Sequence, residues 1–441
     1  MSSTVFKGGV HPDYHKEITA TMAVAVMKVP EKVVIPLQQH IGAPCEPLPS
    51  IEVGTQVRLG QKIAESSGFV SAPIHASVSG TVTAIGPYNH PLGRPVQAIT
   101  IESDGEDKWD EGIKPAGDLN NLTPEEIRAI VREAGIVGLG GATFPAHVKL
   151  SPPPDKKIDI VIINGAECEP YLTADHRVML ENPEAMVFGL KAMIKALGAE
   201  KAVIGIEDNK VDAIRVVEQA VSEEANITVA SLHTKYPQGA EKMLIQVTTG
   251  RKVPAGGLPL DIGVVNHNVG TAVAIANAIR EGKPLIERVL TVTGSGINRP
   301  ANLMVRIGTL VSEVLDSCGG LKESTQKLII GGPMMGLAQP NSDLPVIKGT
   351  SGILALTEDD VYLAESSPCI RCGKCVDGCP VQLLPTAIAQ AAEHGLYKRA
   401  EKLHAMDCFE CGCCAYVCPS KIPLTQLIRI AKAEILKARK K

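Results

Sequence analysis

One cysteine spacing, written twice in the last quarter of this 441-residue chain, constrains its fold more than any other feature. Cys369, Cys372, Cys375 and Cys379 read C-x2-C-x2-C-x3-C followed by proline, and Cys408, Cys411, Cys414 and Cys418 repeat the spacing and the proline. Nine of the twelve cysteines fall between residues 369 and 418. The chain is long, and its start, MSSTVFKGGVHPDYHKEITA, has no charged stretch followed by an apolar run, so metal ligation is favoured over disulfides. Zinc ribbons use paired C-x2-C knuckles and do not need two complete four-cysteine runs, so the repeat points to iron–sulfur cubes.

The repeat resembles that of two-cluster bacterial ferredoxins. In that pattern three cysteines on a tight loop reach three irons, while the fourth is carried off by the following turn and completes the other cube. One [4Fe-4S] cluster is therefore assigned to Cys369, Cys372, Cys375 and Cys418, and the second to Cys408, Cys411, Cys414 and Cys379. The run CFECGCCAYVCP holds a fifth cysteine, Cys413, which fits neither set and is expected to pack. Cys45, Cys168 and Cys318 stand alone, and a lone cysteine is more often a small buried hydrophobe than a ligand. Cubes with every iron ligated by protein bind no substrate, so the pair is a wire that needs an electron source and a sink.

At ~150 residues per domain the length calls for about three units or more. Forty-four basic against forty-eight acidic residues leave a formal charge of −4, with no basic stripe interleaved with aromatics, which argues against nucleic acid as a partner. No apolar run approaches the ~18 to 20 residues that cross a bilayer, and the chain is expected to be soluble and cytoplasmic. After an N-terminal segment, residues 1–32, the short β runs of residues 33–105 (VVIPL, VGTQVRLGQKIAES, SAPIHASVSGTVTAI, PVQAITIES) form a small module resembling the biotinyl/lipoyl carrier fold. No lysine occurs between Lys62 and Lys108, so the module reads as structural, with no swinging arm. A polar stretch puts a boundary near residue 115, and Thr123-Pro124-Glu125-Glu126 marks a helix start.

Over residues 120–285 strands and helices alternate, which predicts a mostly parallel sheet with helices on its faces and ligands beyond the carboxyl ends of its strands. Residues 286–340 resemble a soluble-ligand-binding β-grasp module, and a loop over 339–352 leads to the cysteine region, 360–430, with helices at PTAIAQAAEHG and PLTQLIRIAKAEILKARKK. The whole reads as a multidomain α/β chain. Its polar clusters follow strands: IDIVII delivers NGAECEP with Asn164, Glu167 and Glu169, and later strands deliver TKYPQGAE with Gly239 and Glu241 and NHNVGT with His267, Asn268 and Thr271. The stretch IVGLGGATFPAHVKL sets Gly138, Gly140 and Gly141 before Phe144 and Lys149, a density of glycine that lets backbone amides close on an anionic or planar ligand.

These loops resemble those of the FMN-binding, NADH-oxidising subunit of respiratory complex I, and the order of modules is similar to that of the RnfC family, the C subunits of the Rnf ion-translocating ferredoxin:NAD oxidoreductases. FKGGVHPDYHKEIT, QHIGAPCEPLPSIEVG and LIIGGPMMG extend the likeness along the chain. The resemblance implies that Gly138, Gly140, Lys149, Asn164, Gly239, Glu241, His267, Asn268 and Thr271 surround FMN, with Lys149 at its phosphate. It implies that Phe144 stacks on the nicotinamide or adenine of NAD(H), and that Glu167 and Glu169 line the nucleotide's approach. Ala166 and Ala240 stand where complex I has acids, and His267 where it has asparagine. It further implies a peripheral subunit on the cytoplasmic face of the cell membrane, in a six-subunit complex that includes a ferredoxin-accepting iron–sulfur subunit and couples ferredoxin:NAD electron transfer to Na+ or H+ movement. A flavin is the natural converter between a two-electron nicotinamide and one-electron cubes. Two rivals are a soluble NADH-dependent cobalamin reductase, whose family places the carrier-like module differently, and a non-catalytic iron–sulfur adaptor. The basic tail, Lys437, Arg439, Lys440 and Lys441, reads as a solvated helix end.

Overall fold

Four bodies follow one another in the computed structural model, which describes residues 5–361 and 365–439. The first is a flattened β sandwich. One sheet orders Lys32–Pro36, Val96–Ser103, Gly80–Tyr88 and Gln56–Val57, and the other orders Cys45–Pro47, Lys62–Ser66 and Ile74–His75. Alternation along these strands sends Val33, Ile35, Ile63, Val82, Ile99 and Ile101 into one shared core.

The α/β body opens on the helix Pro124–Glu133, where Thr123 and Glu126 form the expected reciprocal cap. Its four strands are all parallel, in the order Ile227–Leu232, Lys201–Glu207, Ile160–Gly165, Val264–Asn268. The inner strands are apolar on both faces, as a sheet covered by helices on both sides requires. Helices Pro183–Leu197 and Val269–Glu281 pack together on one face at Gly189, where any side chain would run into the carbonyl of Ala272. Helices Ala174–Glu181 and Ala146–Lys149 were not foreseen from the sequence, and both carry residues of the site described below.

The β-grasp body is larger than residues 286–340. Its six-stranded sheet runs Val24–Val26, Ala301–Arg306, Glu287–Thr293, Gly352–Thr357, Thr325–Ile330, Leu337–Gln339. The N-terminal segment thus supplies an edge strand parallel to Ala301–Arg306, and a strand beyond the expected loop fills the middle of the sheet. The last body is helical, with Pro385–Glu393 packed on Leu424–Arg439. Arg439 pairs with Glu401 at 2.6 Å, while Lys440 and Lys441 lie outside the described residues.

Candidate functional site

Strand order decides where a ligand can sit. From Ile160–Gly165 the chain steps outward to Lys201–Glu207 and Ile227–Leu232, then crosses back to place Val264–Asn268 on the other side of its starting strand. Strand order reverses between these two neighbours, and their carboxyl ends lie side by side at the rim where a parallel sheet places its ligand crevice. Asn164 and Asn268 are register partners at that point.

Several predicted residues meet there. Lys149, from the short helix Ala146–Lys149, donates to Glu241 at 2.7 Å and to the carbonyl of Asn266 at 3.0 Å. Asn164 donates to the carbonyl of Gly239 at 2.8 Å and accepts from the amide of Ala166 at 3.1 Å. Asn268 caps the helix Val269–Glu281 by accepting from Gly270 at 2.8 Å, and donates to Asp175 at 2.6 Å. The glycine loop lies beside it: a Cβ on Gly140 would come within 3.5 Å of that of Asn268, while Gly140 and Gly141 face solvent. Gly138 donates to the carbonyl of Phe144 at 2.9 Å, which closes the loop and leaves the Phe144 ring half-buried at its end. His267 is buried, and burial aided by Lys149 pushes its imidazole down to about 3, so it is neutral. Its Nε2 and the Oδ1 of Asn266 are buried without a partner among the described residues. Paired ammonium and amide groups, an exposed glycine loop and two orphaned polar atoms at one switch point fit a phosphorylated, hydrogen-bonding cofactor such as FMN.

Three predicted roles are revised. Thr271 is fully buried, and its hydroxyl accepts from the amide of Leu139 at 2.9 Å, so it anchors the glycine loop from below and does not face the crevice. Glu167, in a left-handed conformation with φ 46°, accepts from the amides of Asp175 at 2.6 Å and His176 at 3.1 Å. Both of its oxygens therefore serve the start of the helix Ala174–Glu181. Glu169 turns away from the crevice toward the β-grasp body, where Met334 and Met335 donate to it. Sequence reasoning also missed Asp175, which orients Asn268, and Arg288, a fully buried guanidinium that donates to the carbonyls of Lys348 and Leu139 under the loop. It missed Lys16 as well, whose buried ammonium holds three carbonyls of the Glu167–Leu172 turn. Lys16 lies inside FKGGVHPDYHKEIT, a string that the sequence had already marked.

The cysteine body is a pseudo-symmetric pair. Cys369 and Cys408 each accept from the amide two residues on, Arg371 and Glu410, at 3.4 Å. Cys375 meets Thr386 at 2.9 Å and Cys414 meets Thr425 at 3.8 Å. Left-handed Gly373 and Gly412, with φ 78° and 81°, turn the two loops alike. Two hollows result. Cys379, Cys408, Cys411 and Cys414 line one, together with the fifth cysteine Cys413, and Cys369, Cys372, Cys375 and Cys418 line the other. Each hollow joins cysteines of one run to a single cysteine of the other, Cys418 in the outer and Cys379 in the inner, as cross-ligated cubes require, and amide donors aimed at sulfur suit anionic thiolates. The inner hollow adjoins the α/β body, whereas the outer one presents exposed Cys369 and Cys372. Cys413 is fully buried against Tyr236, Cys168 and Val10, in a packing position.

Family models match in the same order: the RnfC barrel sandwich hybrid domain over residues 4–106, the Nuo51 FMN-binding domain over 131–277, the SLBB domain over 289–338 and the 4Fe-4S dicluster domain over 368–422. The C subunit of the proton-translocating ferredoxin:NAD(+) oxidoreductase complex of Clostridium ljungdahlii is 54% identical over 97% of this chain and 93% of its own. Its Na(+)-translocating counterpart from Acetobacterium woodii is 52% identical over 99% and 98%. The chain belongs to the RnfC family. A third member, from Rhodobacter capsulatus, is 47% identical over 99% of this chain and 84% of its own. Among solved structures, an NAD+-reducing [NiFe]-hydrogenase chain superimposes with a TM-score of 0.48 at 16% identity, covering 74% of this chain and 63% of that one. As an RnfC protein, the chain has FMN and two [4Fe-4S] clusters as its cofactors, and it is one member of a multi-subunit complex. No helix among the described residues is long and apolar enough to cross a membrane.

Proposed function

We propose that this chain is the NAD-facing peripheral subunit, on the cytoplasmic face, of a six-subunit membrane complex that couples ferredoxin:NAD electron transfer to Na+ or H+ movement. The observation that carries the reading is adjacency: the crevice between Asn164 and Asn268 lies on the same body that seats the inner cysteine hollow, through Tyr236 and Cys168. FMN, when bound, supplies the exchange between two-electron nicotinamide chemistry and one-electron carriers. The chain's own residues do the rest. Lys149, neutralised in part by Glu241, supplies the cation for a phosphate, and the Gly140–Gly141 backbone admits a planar ring to close range. Neutral His267 and Asn266 offer hydrogen bonds from a dry strand, and Asp175 and Thr271 keep the crevice walls in place. At the far end, exposed Cys369 and Cys372 flank Ile370, 67% exposed, a rim suited to handing electrons to or from another iron–sulfur subunit.

Lys149→Met and Asn164→Ala test the site directly. Each is expected to lower the FMN content of purified, reconstituted protein while iron content stays at the wild-type level. Equal loss of both cofactors would show that the crevice is not the flavin site. Wild-type protein without NADH-dependent bleaching of cluster absorbance would overturn the enzymatic reading.

A further inference from the structure

Three stretches far apart in sequence close behind the inner hollow. The Glu169 carboxylate accepts from the amides of Met334 at 3.1 Å and Met335 at 2.9 Å, in the GGPMMG turn of the β-grasp body. A side chain on Gly332 would overlap that carboxylate, so the turn closes on it directly. The same turn reaches the cluster loop, since a Cβ on Gly412 would lie 2.9 Å from the carbonyl of Met334. Tyr236 is wholly buried between them. Its hydroxyl proton is shared between the carbonyl of Cys411 at 2.7 Å and Glu169 at 3.4 Å. Val10, Cys168 and Cys413 pack around the ring. Neither the crevice nor cysteine ligation requires this arrangement.

We propose that Tyr236 and Glu169 are positioning residues that set the reduction potential of the inner cluster, and in opposite directions. The proposal rests on the ligand assignment above. A cluster gains one negative charge on reduction, and its potential follows the charge, hydrogen bonding and solvent exposure around it. A hydroxyl donating to the Cys411 carbonyl draws electron density away from the ligand loop and favours the reduced cluster. A buried carboxylate one side chain further back opposes added negative charge, and in a site closed to solvent its field is little screened. Tyr236→Phe keeps the ring and removes the donor, so the inner potential falls. Glu169→Gln keeps the shape and removes the charge, so the inner potential rises. The outer cluster, ligated on the far side of the cysteine body, stays where it was.

The experiment is a redox titration followed by electron paramagnetic resonance on the full reconstituted chain, with iron and FMN measured in each sample. It is run in alkaline buffer, where a carboxyl that burial has pushed up to about 7 is ionised. The inner signal is identified as the one lost in Cys379→Ser. Opposite shifts of that signal in the two variants, with the outer signal unmoved, are expected. Unmoved potentials, or shifts of one and the same sign in both variants, as a loosened and solvent-exposed loop would give, overturn the proposal. If Tyr236→Phe does not hold iron, Glu169→Gln decides alone, and an unshifted or lowered potential is the refuting result. Failure of wild-type protein to hold two clusters would instead refute the ligand assignment, which iron content reports separately.

Discussion

Lys16→Met removes a buried cation that ties the N-terminal segment to the rim of the crevice. Lys16 is 8% exposed, and its ammonium donates to the carbonyls of Glu167 at 2.8 Å, Glu169 at 2.9 Å and Leu172 at 2.6 Å. Burial, helped by Lys210 and opposed by Glu167 and Glu207, brings it from 10.5 down to about 8. That difference corresponds to ~3 kcal/mol spent on holding charge in this place. Methionine removes that cost but leaves three carbonyls without a donor, at ~1–3 kcal/mol each. The net loss is therefore between near zero and ~6 kcal/mol, centred on ~3 kcal/mol. In a chain of several bodies the loss is local, not a single global unfolding energy. Hydrogen exchange reads it: peptides over residues 5–18 and 164–173 should exchange roughly 100-fold faster in Lys16→Met, with the β sandwich unchanged. The pH dependence has a definite sign. Because the folded value lies below the unfolded one, wild-type protection of these peptides should increase from about pH 8 to pH 10.5, and the variant should lose that slope. Unchanged protection in the variant together with an unchanged slope between about pH 8 and pH 10.5 would refute the clamp.

Cross-ligation makes a second prediction. Cys418→Ser should abolish the cluster held by the first run and Cys379→Ser the one held by the second, each halving iron content and removing one of two paramagnetic signals. Loss of the cluster of the mutated run itself would refute the exchange of ligands. Glu169 gives a third. Burial, against two amide donors and Lys16, raises its carboxyl from 4.5 to about 7, so its folded value lies above the unfolded one. Its contribution is fully present below about pH 4.5 and is lost as pH rises to about 7, a swing of ~3 kcal/mol. Glu169→Gln should flatten the melting temperature against pH across that window, and an identical slope in both proteins would refute the assignment. Asp175, raised by burial and by Glu167, adds a slope of the same sign that the variant retains.

The elements legible in the sequence were those whose cause is local. The parallel strands announce themselves as apolar runs, the helix Pro124–Glu133 by its cap, and the cluster loops by ligand spacing. Two strands lacked such a cause. Val24–Val26 is three residues long with Val26 82% exposed, and it exists only because Asn302–Met304 offers an open edge far along the chain. Gly352–Thr357 is buried on both faces, so it shows no alternation, and its proline- and glycine-rich approach gives it the look of the end of a loop.

The site divides along the same line. Asn164, Gly239, Glu241 and Asn268 could be grouped from the sequence because they follow strands whose ends gather at one rim whatever the tertiary detail, and Lys149 reaches them from the short helix Ala146–Lys149. The reassigned residues were not, because their partners are chosen by packing. Glu167 has the same composition signal as a substrate-facing acid, yet its two oxygens satisfy amides that open the helix Ala174–Glu181, which the sequence does not reveal. Glu169, Tyr236 and the GGPMMG turn each stood inside a recognisable string. What joins them is a set of contacts spanning 67 to 175 residues of separation. A spacing rule can place a cysteine on a cube, but the groups around that cube are supplied by two other bodies of the chain. The midpoint at which the cube accepts an electron therefore depends on how those bodies are docked, so variants at Glu169 or Tyr236 should change electron transfer without changing the ligand set.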